Sequence, residues 1–244
     1  MELAIVNPSP KWPSATLREP LPYGYIHVAA VVEPPRQPGP PFPGRSERKR
    51  ALLARLKALA AALERLEPVV RATVYRAVLV PPIGDQAPHP ARFDVAVLIE
   101  TGSPNEIGEV QMAEPYRQLV DALHAAAGDV HVMAARNARL IADVDKSRPG
   151  IFLFNHFTAD DPQVALELWD RLAGWYAVET GLENSTLLQP IGDADYIFVN
   201  HARWDRSLPR LLLEQFGKRS FWTYVRANLR ANRTVAMPVL YRLA

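Results

Sequence analysis

The segment IFLFNHFTADDPQVALELWDRLAGWYAVETG, residues 151–181, has the pattern of a β-strand followed directly by an α-helix. Residues 151–158 are almost all apolar or aromatic, as in a strand. Asp161 and Pro162 are typical of a helix start, because a carboxylate accepts the free backbone N–H groups and proline suits the first turn. Apolar side chains then recur at helical spacing at Val164, Leu168, Leu172 and Trp175. Gly181 is typical of a helix end.

The order of elements around this segment predicts two copies of one unit. In residues 148–244 we predict, in order, a strand at 151–158, the helix just described, strands at 185–190 and 196–204, a helical region at 207–232 and a strand at 234–243. Residues 23–147 repeat that order, with a strand at 25–32, a helix at 46–67, strands at 73–80 and 93–100, a helix that ends before Gly128 and a strand within 130–144. Such a βαββαβ unit forms a four-stranded antiparallel sheet with two helices on one face, and its other face must be covered. We therefore predict an α+β fold in which two tandem ferredoxin-like units join their sheets as a pseudo-dimeric α/β barrel.

Proline is concentrated at one end of the chain, where eleven of the 23 prolines lie within residues 1–43. Proline has a fixed φ and no N–H, and it favours an extended residue before it, so residues 1–22 and 34–44 are predicted to be extended. The predicted organisation is a Pro-rich N-terminal arm at 1–22, a first unit at 23–147 and a second unit at 148–244. The arm either packs along its own domain, which is the simpler interpretation, or serves as a ligand for an aromatic-lined groove.

Composition excludes several classes of protein. The 244 residues are 48% hydrophobic and include no cysteine, which excludes disulfide scaffolds, thiolate metal sites and cysteine nucleophiles. No apolar run is long enough to span a membrane and no signal pattern begins the chain, so we expect a cytoplasmic protein without a membrane partner. The net charge of +2 and the lack of an RNA-binding aromatic pattern argue against nucleic acid as a partner, although residues 206–233 are locally basic.

Polar side chains stand out on two strands of the second unit. Alternate residues of a strand share a face. If Ile197 and Val199 lie under the helices, the opposite face of that strand shows a row of aromatic and polar side chains to a cavity: Tyr196, Phe198, Asn200 and Trp204. Asn155 and Phe157 can join them from the neighbouring strand. Amides within an aromatic wall suit a planar ligand with a carbonyl or phenol oxygen, which they can orient or polarise.

We therefore predict Asn155, Asn200 and Trp204 as catalytic residues. The predicted substrate-binding residues are Phe157, Tyr196, Phe198, His156 and His201. The simpler alternative is that amides and tryptophan at strand ends only cap edges or fill the barrel mouth. The two Asn-His pairs, 155–156 and 200–201, favour either acid–base chemistry by the two imidazoles or a pair of satisfied histidines beneath the helices. No third ligand stands at metal-binding spacing, so no metal site is predicted.

Two segments of the second unit resemble a known family: FVNHARWD at 198–205, which leads into SLPRLLLEQF at 207–216, and SFWTYVR at 220–226. They are similar to the antibiotic-biosynthesis-monooxygenase (ABM) type of dimeric α/β barrel, in which a third strand ends in tryptophan and a broken helix follows. A fainter copy, VLIET at 97–101 and AEPYRQLVDAL at 113–123, lies in the first unit. As architecture the resemblance covers about residues 23–244, and it implies a cavity between sheet and helices.

The family implies one of two chemistries. Some members are cofactor-free oxygenases of electron-rich aromatics, and others bind haem and open it oxidatively. The haem-degrading members use an asparagine on the first strand, a tryptophan on the third and a histidine on the second helix. Asn155 and Trp204 match the first two positions, but residues 207–233 contain no histidine, and His124 in the first unit is the sole helix-borne match.

These observations lead to three hypotheses. The first is a small-molecule enzyme that oxygenates or isomerises an aromatic or polyketide-like ligand in the barrel cavity without a tightly bound cofactor. The second is a non-catalytic ligand-binding or assembly protein that uses its arm or outer sheet to form a homo-oligomer. The third is a haem-binding protein. A closed cavity that touches Asn155 and Trp204 would favour the first hypothesis over the second.

Overall fold

The computed structural model describes residues 2–36, 38–82 and 89–244. Within them the chain forms eight strands: β1 (Gly24–Val31), β2 (Val69–Leu79), β3 (Val95–Thr101), β4 (Asp129–Ala142), β5 (Ile151–Ala159), β6 (Ser185–Pro190), β7 (Phe198–Trp204) and β8 (Thr234–Leu243). The same residues form six α-helices: α1 (Glu47–Leu63), α2 (Ile107–Met112), α3 (Glu114–His124), α4 (Pro162–Thr180), α5 (Leu208–Phe216) and α6 (Ala227–Ala231). A short 3-10 turn, Pro104–Glu106, leads into α2, and a π-helical segment, Phe221–Arg226, leads into α6. None of these helices is long and apolar enough to cross a bilayer.

The eight strands pair antiparallel in one closed barrel, in the order β1-β3-β2-β8-β5-β7-β6-β4. The first four strands are contiguous in it as β4-β1-β3-β2, and the last four as β8-β5-β7-β6. Two seams join these sets, one where β2 pairs with β8 and one where β4 pairs with β6. Closure pairs the edge strands of each set, so the sheet formed by the described residues has no free edge. The predicted α+β class is confirmed.

Local signals place the ends of the helices. Asp161 caps α4, because its carboxylate accepts from two backbone N–H groups of the first turn at 3.1 and 3.2 Å. Gly181 ends the same helix with a φ of 64°, a left-handed conformation that favours glycine. α1 ends at Leu63, short of the predicted end at 67. The Glu64 carboxylate accepts from the Ala72 N–H of β2 at 3.0 Å, which ties the turn after the helix to the sheet.

Two apolar layers hold the fold together. Inward-facing residues of all eight strands form one cluster that fills the barrel, and its large rings include Tyr25, Tyr75, Phe152, Phe154 and Tyr241. The outer face of the sheet is covered by α1 and α3 in the first half. In the second half it is covered by α4, α5, the π-helical segment and α6. Each strand therefore packs on both faces, with the barrel interior on one side and helices on the other.

The Pro-rich arm, residues 2–22, lies mostly on the outer surface of the second half, and its last part meets β4, where Arg18 bridges Leu140 and the Leu21 N–H donates to Asn137 Oδ1. Two asparagines, Asn228 of α6 and Asn232 directly after it, hold the arm by its backbone. The Asn228 amide accepts from the Val6 N–H at 2.7 Å and donates to the Val6 carbonyl at 2.9 Å. The Asn232 amide does the same at Ala4, with distances of 2.9 and 2.7 Å. The pair of side chains therefore holds the arm by its backbone, but the chain bends at Val6 and Asn7 and turns at Pro10 and Lys11, so the extended backbone predicted for the arm is interrupted there.

Farther along, the arm packs on α4. Trp12 lies against Tyr224 of the π-helical segment with tilted rings whose centroids are 4.8 Å apart, and its Nε1 donates to the carboxylate of Glu179 on α4 at 2.8 Å. The Pro13 carbonyl oxygen comes so close to Gly174 of α4 that a Cβ at that position would lie 1.6 Å away. Glycine is thus required there by the close approach of the arm. These contacts agree with the simpler interpretation of the arm, which packs on its own chain.

Candidate functional site

A cavity of about 50 Å³ lies between the outer face of β5, β7 and β8 and the helices α4 and α6. Its wall is mostly apolar, and the side chains in it that carry polar atoms are few: Asn155, Trp169, Tyr176, Asn200, Trp204 and Thr234. The described residues that line it include no carboxylate, lysine, arginine or histidine. The cavity can therefore orient a ligand through neutral hydrogen bonds, but those residues offer no base that titrates near neutral pH.

Asn155 and Asn200 lie in register on the neighbouring strands β5 and β7, and both line the cavity. The Oδ1 atom of Asn155 is buried and makes no hydrogen bond to any described residue. A buried polar atom without a partner costs about 1–3 kcal/mol, unless a ligand or water supplies one. Asn200 differs, because its Oδ1 accepts a hydrogen bond from Ser185 Oγ at 2.5 Å. Asn155 therefore has the amide oxygen that is available to a ligand.

The hydrogen-bond pairing of the sheet changes beside Asn155. The partner of Asn155 on β8 is Pro238, which has no N–H to donate. β2 pairs with β8 only as far as Leu240, so Pro238 lies past the last pair of that ladder, where proline is tolerated. A second cavity of about 20 Å³ lies there, between this part of the sheet and α5. The two cavities share four wall residues: Leu153, Asn155, Tyr176 and Trp204.

Hydrogen bonds hold the two aromatic side chains of this shared wall. Trp204 Nε1 donates to Thr180 Oγ1 at 3.2 Å, and that hydroxyl donates to the Tyr176 carbonyl at 2.7 Å. The Tyr176 hydroxyl accepts from Gln215 Nε2 of α5 at 3.2 Å. Burial raises the pKa of Tyr176, so its hydroxyl stays protonated and can donate to a ligand oxygen.

The residues predicted for the site fall on two faces of the sheet. Asn155, Phe157, Asn200 and Trp204 all line the larger cavity, on the helix side. Phe198 lies beside it on the same face and packs on Phe157 with ring centroids 4.7 Å apart. The structure thus brings together all three residues predicted as catalytic and two of those predicted to bind substrate.

Tyr196, His156 and His201 lie on the opposite side, in the barrel interior. The assumption that Val199 lies under the helices is wrong, because Val199 belongs to the interior cluster. The expectation that the histidines lie beneath the helices is wrong for the same reason. His201 stacks on the interior ring of Phe154 with centroids 4.3 Å apart, and His156 lies 4.8 Å from the ring of Tyr196. Closure buries this face from both halves of the chain, so aromatic and neutral imidazole rings fill it.

Burial also determines the charge of these histidines. Loss of hydration lowers the pKa of His156 to about 3 and that of His201 to about 3. His201 has two partners, since its Nδ1 donates to the Leu153 carbonyl at 3.0 Å and its Nε2 lies 3.2 Å from the Tyr75 hydroxyl. Both rings are neutral and weakly basic at ordinary pH. Across the described ranges, no group of three side chains is arranged to hold a metal ion.

The residues do not fit a haem held by histidine in this cavity. The described wall contains no histidine, and α5, the π-helical segment and α6 carry none. His124, the helix-borne candidate, is exposed on α3 in the other half of the barrel. The match of Asn155 and Trp204 to the haem-degrading members therefore lacks its third residue in space as well as in sequence.

Tyr176, Gln215 and Ser185 are functional candidates that the sequence analysis missed. Trp169 and Tyr176 are seven residues apart in α4 and line the same cavity, and this spacing puts them on one helix face. That second aromatic stripe, next to the stripe that ends at Trp175, is the signal that could have found Tyr176. Gln215 has no such signal, because it meets Tyr176 from another helix, 39 residues away.

A closed antiparallel α+β barrel with helices on its outer face is the class of fold that these features define. An anthrone oxidase-like protein shares it with a TM-score of 0.61 at 11% identity, over 91% of each chain. A monooxygenase-like protein from Fusobacterium nucleatum gives a TM-score of 0.57 at 6% identity, over 93% of this chain and 94% of that chain. A monooxygenase-like protein from Lactobacillus acidophilus gives 0.52 at 8% identity, over 90% and 93%. No protein-family model and no curated protein matches the sequence. At such low identity the likeness shows the fold alone.

Proposed function

We propose that this chain is a cofactor-independent oxygenase of the ABM-like kind, acting on an aromatic or polyketide-like ligand in the cavity at Asn155. One observation carries this function: the buried Oδ1 of Asn155 borders a mostly apolar cavity and has no partner among the described residues. The fold shared with an anthrone oxidase-like protein supports the same class of chemistry. Two tandem ferredoxin-like units, related as in a pseudo-dimer, account for the strand order that both halves share.

The substrate must supply its own acidity, because the described wall has no ionisable base. An anthrone-type substrate has a CH₂ group between two aromatic rings, opposite a carbonyl. The CH₂ group loses one proton to water, and the negative charge is delocalised onto the carbonyl oxygen. Neutral donors such as the Tyr176 hydroxyl stabilise this anionic oxygen. The anion gives one electron to O₂, and the two radicals combine at carbon and regain a proton as a hydroperoxide. Loss of water then gives the quinone, so one O₂ turns CH₂ into C=O and one H₂O.

Such a ligand needs more room than this cavity offers. Its volume is about 50 Å³, whereas ligand sites usually measure roughly 300–1,000 Å³. The strands that form the floor are paired on both sides in the barrel. The cover is more adaptable where, beside α4, it consists of a π-helical segment and the short α6 in succession. Substrate entry therefore requires movement of the helical side of the cavity.

Oxygen uptake with a panel of anthrones and quinols tests this function. We expect Asn155→Ala to lower kcat/KM at least about tenfold, because each tenfold loss corresponds to about 1.4 kcal/mol, the scale of one oriented hydrogen bond. Asn105→Ala, which removes an exposed amide from the first half, is the matched control and should retain full activity. Equal rates for Asn155→Ala and the unmodified protein on every substrate would remove Asn155 from the chemistry.

Ligand binding without oxygen uptake would instead favour the non-catalytic ligand-binding or assembly protein. Because the barrel closes within one chain, a homo-oligomer would form through the outer faces, and size-exclusion chromatography with light scattering would detect it.

A further inference from the structure

The two cavities in the second half lie side by side, because they share part of their walls. The shared part carries the polar groups of Asn155 and Tyr176. Beyond it, both cavities are mainly apolar. The larger is lined by side chains such as Phe157, Ala165 and Leu168, and the smaller by side chains such as Leu79, Leu211 and Leu240. Polar groups in the middle and apolar surface towards both ends suit one elongated ligand better than two small ones.

The four shared wall residues differ in how firmly they are held. Leu153 and Asn155 lie on β5 and Trp204 lies on β7, and both strands have paired neighbours on each side. The Trp204 ring is also tied to Thr180 by a hydrogen bond. Tyr176 reaches the wall from the opposite side, from α4, and a single hydrogen bond from Gln215 holds its hydroxyl. Tyr176 is therefore the shared side chain that can turn without disturbing the barrel.

We propose that Tyr176 is a specificity-determining gate between the two cavities, and that the hydrogen bond from Gln215 holds it in the closed position. When the ring turns away, the cavities join as one slot along β5, with Asn155 in its shared middle part. The closed gate admits a ligand of about one ring, and the open gate admits a planar ligand of several fused rings with an oxygen at its centre. The gate rests on the proposed function in one respect, which is that this cavity is the ligand site.

Three ketones of increasing length test the gate. 4-Pyranone, chromone and xanthone carry the same ring carbonyl, with no, one and two fused benzene rings, and they are stable to O₂. Trp169 and Trp204 line the larger cavity, so quenching of tryptophan fluorescence measures binding without turnover. We expect Tyr176→Ala to raise the affinity for xanthone relative to 4-pyranone at least about tenfold over the unmodified protein. Tyr176→Phe keeps the ring and loses only the bond from Gln215, so it should give a smaller gain of about two- to fivefold.

A matched control separates the gate from general loosening of the helices. Tyr116→Ala removes a buried tyrosine from α3 in the first half and should leave the xanthone-to-pyranone ratio unchanged. The gate is refuted if that ratio is the same in Tyr176→Ala and the unmodified protein, or if neither protein binds xanthone. If Tyr176→Ala does not fold, the same comparison with Tyr176→Phe decides. A shifted ratio without oxygen uptake would refute only the oxygenase, whereas uptake with an unchanged ratio would refute only the gate.

Discussion

Acid should weaken the barrel, because three imidazoles are buried in its interior. His27, His156 and His201 are at most 1% exposed. Burial lowers the pKa of each below the ordinary 6.5, to about 3 for His156 and His201. Because the folded pKa is depressed, the unfolded chain binds more protons as the pH falls below 6.5. The free energy of unfolding is therefore highest, with respect to these three rings, above pH 6.5, and it falls progressively below that pH.

The size of this loss follows from protonation of the unfolded chain. At pH 5.5 an imidazole with an unfolded pKa of about 6.5 lowers the free energy of unfolding by about 1.4 kcal/mol, and at pH 7.5 by less than about 0.1 kcal/mol. Three such rings together lower it by about 4 kcal/mol between the two pH values. That is a large share of the roughly 5–15 kcal/mol that stabilises a typical folded protein.

Urea unfolding at pH 7.5 and pH 5.5 measures the loss directly. His27→Phe removes one of the three rings, whose two nitrogens make no hydrogen bond to described residues, and should reduce the loss by about one third. His124→Phe replaces an exposed histidine of α3 and should leave the loss unchanged. Comparing variants also cancels the contribution of Glu100, whose pKa is raised by burial and whose protonation acts in the opposite direction. Equal losses in His27→Phe and the unmodified protein would refute this reasoning.

Two further substitutions test how the outer elements are held. Asn228→Ala removes both hydrogen bonds to the Val6 backbone and should release the arm. Trypsin should then cut after the exposed Lys11 about severalfold faster than in the unmodified protein. An unchanged cutting rate would show that the other contacts of the arm are enough to hold it in place. Asp94→Asn leaves the buried Lys49 ammonium without its carboxylate and should lower the free energy of unfolding in urea by about 3–5 kcal/mol. A loss below about 1 kcal/mol would mean that water reaches the pair.

Local signals made most of the secondary structure predictable. The cap at Asp161, the proline at 162 and the glycine at 181 predict the bounds of α4, because each acts on the backbone beside it. Strand alternation likewise predicts that Asn155 and Asn200 belong to one kind of face, and the two residues do meet in register. Neither inference needs information from elsewhere in the chain.

The sequence did not predict which face of each strand points into the barrel, because that depends on packing against the other half of the chain. The sequence pattern places Val199 and His201 on one face of the strand, which we predicted to lie under the helices. In the structure that face points into the barrel, where His201 meets Tyr75 of β2, 126 residues earlier in the chain. The hydrogen bond between Tyr176 and Gln215 was not predictable for a similar reason, because it forms only when two separate helices pack together. Sequence periodicity gives the faces of a strand, but tertiary packing assigns them.

The docking of the arm has a consequence for how the chain is made. The backbone of residues 4–6 binds Asn228 and Asn232, which are 222 and 228 residues away from their partners. At roughly 5–20 residues per second on the ribosome, the arm waits on the order of 10–45 s before those asparagines exist. Until α4 and the π-helical segment have also been made, Leu3, Ile5 and Trp12 lack the side chains against which they pack. The interspersed prolines suit this interval, because a segment that lacks donors at regular positions is a poor template for β-aggregation between nascent chains.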